Sequence, residues 1–434
     1  MPAAVAEICC RLDGLPLGIE LAAAHARTLP PPAMLTRLQR RLGVPASVYC
    51  DVPARQQTLR NTLDWSYELL DTAEQQLFRR LSVFAGGCTL EGAEAVCNAH
   101  RDLRGELQNG LSSLVDKSLL HQFVRHNESR FGMIETVREY GLELLVVSGE
   151  QEAIRRAHAA YCLVLAEEGN AAIAPGERNE WLALCDVEHE NFRAALDYVI
   201  AGAHAEWAQR LGVALHAFWD RQHRLAEGRS RLEAILALGG AEARRSRTWA
   251  RAACYAAGLA AVQADYDATL SLHRAALDVY RELGDEKGAI TALTGMGFAE
   301  RHRGDHTAAR SWFEQSLEAC RRLGDKWRSA AAMSNLANAL DALGEHAPAS
   351  TMLQEAAGLF REIGDRSGVA WSFNHLGDMA RDRGDLIEAR RAYLEALTMF
   401  RQMAGQMGHG EIMRGSWVSR VRAARLRGHT RLAR

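Results

Sequence analysis

The stretch Leu336–Asp365, LANALDALGEHAPASTMLQEAAGLFREIGD, decides the fold. Two turns, Gly344-Glu345 and Gly364-Asp365, bracket a segment in which Ala349, Leu353, Ala356, Leu359 and Phe360 fall at helical spacing. Glycine ends a helix because it enters the left-handed conformation without a Cβ clash, and the acid after it suits the positive start of the next helix. The same turn recurs at Gly284-Asp285, Gly304-Asp305, Gly324-Asp325 and Gly384-Asp385, one every 20 residues. Alternate turns match best: LGD at 283 returns at 323 and as IGD at 363, while RGD at 303 returns as LGE at 343 and RGD at 383. The unit is therefore a helical hairpin of 40 residues. Such a period builds a solenoid.

Within each unit the small and large positions resemble those of the tetratricopeptide (TPR) repeat. Leu336-Ala337, Ala349, Leu353 and Ala356 fill them; Leu376-Gly377, Ala389, Tyr393 and Ala396 repeat the set; Met296-Gly297, Ala309 and Phe313 do so with Ser316 in the last place. A degenerate first unit runs from about Thr248 to Leu283, with Ala264-Asp265 where the turn belongs. The solenoid is assigned to residues 246–405. In the TPR family the first helix of each unit lines the concave face. That resemblance puts Thr294, Phe298 and Arg301, then Ser334, Asn338 and Asp341, then Asn374, Asp378 and Arg381 in the groove, a mixed polar surface for a protein segment or small effector.

Residues 46–150 read differently. Asp71 or Thr72 caps a helix from about Ala73, with Glu74 or Gln75 placed for a capping box, and Thr89 caps a short helix through Cys97 after the Gly86-Gly87 break. A third helix lies around Leu107 to Val115. Two β-prone runs follow, 119–124 and 130–134, with His126-Asn127-Glu128-Ser129 as the turn between them. Three helices and a hairpin give the order of a winged helix, so the fold class is mostly α, with one small β-wing followed by the α-solenoid. Residues 151–245 are helical without a clear period, broken at Gly202 and Gly239-Gly240, and are expected to form a connector that stacks under the solenoid.

Fifty-two Lys and Arg against 54 Asp and Glu leave a net charge of −2, which lacks the broad basic field of a nucleic-acid binder. The candidate recognition helix, 105–116, contains no Lys or Arg. Direct DNA reading by this domain is not expected, because phosphate contacts and arginine-to-guanine contacts supply most such binding. Nine cysteines occur without a CxxC pair and read as reduced core thiols of a cytoplasmic protein. There is no secretory signal and no apolar run of membrane-spanning length.

Taken together, GLPLGIELAAAHAR from Gly14, RQQTLRNTLDWSYELL from Arg55, LFRRLSVFAGGCTLEGAEAVC from Leu77, LVDKSLL from Leu114 and ETVREYGLELL from Glu135, followed by repeats, resemble the bacterial regulator branch of the STAND signal-transduction ATPases, the LuxR or antibiotic-regulator type. Those relatives join a DNA-binding or effector domain to an NB-ARC-like ATPase, a winged helix and a TPR sensor. The resemblance implies that residues 1–45 are a remnant of the ATPase helical lid, and that Gly14 and Pro16 of the GLPL turn lie against the adenine of ATP or ADP. No G-x-x-x-x-G-K-[ST] loop occurs in the chain, so the rest of a nucleotide site is expected before Met1, in a separate or disrupted frame. Met133-Ile134-Glu135 stands where many relatives carry a Met-His-Asp trio, and isoleucine has no donor for a phosphate.

From Glu411 to the end there are seven arginines and one acid, and the period is lost near Met403. Residues 406–434 are expected to be a disordered basic tail, the product of a frameshift. Glu188-His189-Glu190 has the look of an acid/base cluster but is assigned to a solvated helix face. No metal or catalytic constellation is found, and the chain is read as no enzyme and as holding no cofactor alone. Trp181, Trp207, Trp219, Trp312 and Trp371 are assigned to core or groove. The leading reading is the sensor portion of a STAND-type transcriptional regulator, with an ATPase domain as partner in cis or trans and no membrane. The alternative is a stand-alone TPR interaction scaffold without nucleotide or DNA binding.

Overall fold

The computed structural model describes residues 2–12, 14–26, 29–42, 54–103, 107–126, 128–170 and 175–406. The expected basic tail lies outside them. The chain divides into two compact units, 1–239 and 240–434.

The first unit opens with α1 (Pro2–Arg11), α2 (Pro16–His25), α3 (Pro31–Leu42) and α4 (Ala54–Glu68), where Ile8, Leu12, Ala22, Met34 and Trp65 form a small core. The winged helix follows as α5 (Thr72–Leu81), α6 (Leu90–Cys97), α7 (Leu107–Asp116), β1 (His121–Arg125), β2 (Glu128–Gly132) and α8 (Glu135–Val147). Its start is a complete capping box: Asp71 accepts from the Glu74 amide at 2.9 Å, and the Glu74 carboxylate accepts from the Asp71 amide at 2.9 Å. Leu77, Phe78, Leu81, Leu111, Leu114, Val137 and Leu145 make its core. β1 and β2 pair antiparallel from His121 opposite Gly132 to Arg125 opposite Glu128. Glu128 and Ser129 therefore belong to the second strand and not to the turn, a correction to the sequence reading.

Cys88 adds a third rung by exchanging two 2.8 Å backbone bonds with Phe131. The rung needs Gly87. Its φ is +74°, and a Cβ there would sit 2.7 Å from the Phe131 carbonyl oxygen.

Residues 151–239 carry α9 (Gln151–Asn170), α10 (Pro175–Ala201), α11 (Ala205–Arg221) and α12 (Leu225–Ala237). They cluster with the winged helix, not with the solenoid, which corrects the expected stacking. Nor are they aperiodic. Ala203 and His223 take left-handed φ values of +53° and +56°, and the next amides, of His204 and Arg224, bond to the carbonyls of Val199 and Trp219. Asp265, Asp285, Asp305, Asp325, Glu345, Asp365 and Asp385 each make that same bond five residues back. The 20-residue beat thus reaches upstream to Ala203, in residues that disguise it because they are not glycine.

The second unit is the solenoid: α13 (Arg247–Val262), α14 (Tyr266–Glu282), α15 (Glu286–Arg303), α16 (His306–Leu323), α17 (Lys326–Ala342), α18 (His346–Glu362), α19 (Arg366–Asp382) and α20 (Leu386–Gln406). Most of its turns combine a left-handed residue with an aspartate cap: Asp285, Asp305, Asp325 and Asp365 accept from the amide three residues on. The first unit's turn is Ala264, at φ +61°, followed by the Asp265 cap. Phe313 and Leu353, both fully buried, plug the hairpins between small residues such as Ala309, Ala337, Ala349 and Ala356.

Candidate functional site

The nine groove residues sit on α15, α17 and α19, the first helix of three successive hairpins. Eight are half-buried and Arg381 is exposed, so they form one recurring stripe between core and solvent. On α15, Thr294 meets Ser316 at 3.0 Å, Phe298 packs edge-on to Phe313 at 5.5 Å, and the Arg301 guanidinium lies 5.0 Å over the Phe298 ring. On α17, Ser334 bonds the Ala330 carbonyl at 3.1 Å, and Asp341 meets His346 at 2.7 Å. On α19 the residues are bound to one another: Asp378 accepts from Tyr393 at 2.7 Å and from Arg381 at 3.0 Å, and Arg381 also reaches Asp382 at 2.9 Å. Burial and then the Asp378 carboxylate push the Tyr393 phenol well up, so it stays a donor.

The 40-residue phase adds positions that sequence reasoning passed over. Arg251 and Tyr255 on α13 stand one unit before Thr291 and Gly295, with the Arg251 guanidinium 5.7 Å over the Tyr255 ring and its Nε donating to the Tyr255 hydroxyl at 3.1 Å. Asn335, beside Asn338, and Trp371 and His375, beside Asn374, are half-buried on the same stripe. Phase-counting from Asn338 would have found them.

At the other end of the chain, Gly14 and Pro16 occupy the turn between α1 and α2. Gly14 has φ +66° with open space where a Cβ would stand, and Pro16 is exposed at the first position of α2.

The wing carries a polar cluster that sequence reasoning misjudged. Glu188 of α10 is buried, not solvated: its carboxylate meets the fully buried Arg130 of β2 at 2.6 Å and the Asn191 amide at 2.6 Å. Arg130 and Asn191 both donate to the Gly87 carbonyl, at 3.0 and 2.9 Å. Beneath them His158 stacks edge-on to Phe84 at 5.1 Å, and burial pushes its pKa down to about 4. His189 faces Glu227 at 3.0 Å, while Glu190 is exposed beside Arg193. Arg80 makes a second clamp, binding Asp102 at 2.6 and 2.7 Å and Glu150 at 2.6 Å; it holds the Asp102 carboxyl down at about 2.

The exposed residues of α7 are Gln108, Asn109, Ser112 and Asp116, and Lys117 just beyond is paired with Glu74. Among the described cysteines, Cys88, Cys97, Cys162, Cys185, Cys254 and Cys320 are buried thiols; Cys10 is exposed and Cys9 half-buried, so these two are not core. Among the described residues no group of three His, Cys, Asp or Glu is placed to hold a metal, and no helix is long and apolar enough to cross a membrane.

By its fold and these surfaces the chain is a TPR-repeat protein with a winged helix-turn-helix domain: the tetratricopeptide repeat family matches residues 248–322, 288–362 and 328–402, and the winged helix-turn-helix family matches 70–146. It is homologous to the "Putative HTH-type transcriptional regulator Rv0890c" of Mycobacterium tuberculosis, at 35% identity over 313 residues. That match takes in 70% of this chain and 35% of the regulator, so the chain spans about a third of its relative's length. Solved structures with a similar fold include BtubC from P. vanneervenii (TM-score 0.40, 17% identity, 49% of this chain and 94% of that one). Another is the STAND protein with a TPR sensor from Pyrococcus horikoshii (TM-score 0.34, 14% identity, 90% and 69%).

Proposed function

We propose that this chain is the sensor and regulatory portion of a cytoplasmic STAND-type ATPase that controls transcription. The observation that carries the reading is the union, in one chain, of a winged helix clamped to helical hairpins and a TPR groove whose polar side chains stand half out of the core. Homology to HTH-type regulators supports it. A protein segment or small effector binds the stripe from Thr294 to Arg381. An NB-ARC-like ATPase domain, in cis or in trans, supplies the phosphate loop, and ATP or ADP bound there provides the two states between which the assembly switches. Gly14 and Pro16 fit the adenine side of that site, since their turn is uncovered and presents a flat ring. The effector drives the switch only through different affinity for the two states. The winged helix transmits the state and does not read DNA, because the exposed face of α7 offers amides, a hydroxyl and a carboxylate but no cation. The chain itself performs no catalysis in this reading.

A photo-crosslinking residue in place of Asn338 tests the groove in cells. It is expected to capture a partner that the same residue at Gln354, exposed on the outer helix α18, does not. Capture at both sites alike would overturn the assignment of this face, as would binding unchanged by Asn338→Ala with Asp378→Ala.

A further inference from the structure

The groove changes character along its axis. On α13 and α15 it presents Arg251 over Tyr255 and Arg301 over Phe298, two guanidinium groups each lying on an aromatic ring. On α17 and α19 it presents Asp341, Asp378 and Asp382 among the amides of Asn335, Asn338 and Asn374, and the arginine there, Arg381, is held by Asp378 and Asp382. A guanidinium keeps its charge when stacked, and its planar fork matches a carboxylate.

We propose that the groove reads charge polarity in an extended polypeptide: side-chain carboxylates at one end of the bound segment dock on Arg251 and Arg301, and its cationic end lies against Asp341 and Asp378. The proposal rests on the reading of this groove as the binding face and adds the chemistry of what it takes. Opposite charge at both ends favours one placement over a shifted or inverted one, so the gain is in register as much as in affinity. Aromatic rings under the arginines give the acidic end an apolar floor, while the amides toward α19 serve a peptide backbone of any sequence.

The test uses the full chain and three fluorescein-labelled peptides of equal length and composition, capped at both ends. One carries a glutamate block and a lysine block separated by alanine and serine; the second is that peptide reversed; the third alternates the two charges. At low salt both block peptides are expected to bind about fivefold tighter than the alternating one, as a few exposed ion pairs would give, and the preference is expected to fade at high salt. Arg251→Glu with Arg301→Glu should abolish the preference, and Arg251→Lys with Arg301→Lys should keep most of it. These side chains point to solvent, and an unchanged thermal transition confirms the fold of each variant. Equal binding of block and alternating peptides overturns the polarity; if Asn338→Ala still weakens both, the groove itself stands. No binding of any peptide, or binding indifferent to Asn338→Ala, overturns both.

Discussion

Glu188 and Arg130 show what one residue decides in this chain. Removing one partner of a fully buried ion pair leaves an uncompensated charge, so Glu188→Ala is expected to destabilise residues 1–239 by about 3–5 kcal/mol in urea unfolding. Replacing both, Arg130→Met with Glu188→Leu, is expected to recover most of that loss. If the single variant costs less than about 1 kcal/mol, the pair is not the clamp described here. His158 gives the same region a pH dependence. Burial holds it neutral with a folded pKa of about 4 against an ordinary 6.5, so it takes up a proton more readily when unfolded. Its contribution is complete above pH 6.5 and drains away as the pH falls toward 4. The transition midpoint of the first unit should fall across that window, and His158→Gln should flatten the fall. In the solenoid, His273 is buried with a folded pKa also near 4, and adds a similar slope to the second transition.

Among the elements, the turn conformation is the device that recurs. Ala264 holds φ +61° where its later counterparts are glycine, a conformation that strains a residue with a Cβ. Ala264→Gly is expected to raise stability by about 0.5–1 kcal/mol, the relief of that strain exceeding the extra chain entropy of glycine. An unfolding midpoint that drops on substitution would show the turn to be unstrained. The same turns explain what could be read in advance. From α15 to α20 glycine and its following acid announced every helix end, and the Asp71 capping box announced α5. Ala203 and His223 adopt the same backbone without the residue that signals it, so the first hairpins looked irregular. Burial of Glu188 was hidden for another reason: its partner Arg130 lies 58 residues away, across a strand and two helices, and no local pattern carries that pairing. The groove stripe was legible by phase, but which of its members bind one another, as Asp378, Arg381 and Tyr393 do, depends on side chains meeting between helices.

At the scale of the molecule the two compact units separate the roles. The first holds the wing, its clamp and the open turn of Gly14 and Pro16; the second holds the groove. In the solenoid each hairpin contacts its neighbours through the same positions, so stability is close to a sum of units and joints. Deleting residues 306–345 removes α16 and α17 and joins Gly304-Asp305 to α18, leaving a first helix, a left-handed turn and a second helix in order. This variant is expected to unfold cooperatively with a lower midpoint. Deleting 306–335 instead, which breaks the phase, is expected to leave the second unit without a cooperative transition by circular dichroism. The regular beat of left-handed turns therefore makes the repeat a cassette in the genetic sense. Unequal crossing-over in the coding sequence can add or remove a whole hairpin while every joint keeps its geometry, so a descendant of this protein changes the length of ligand it can grip in steps and not by degrees.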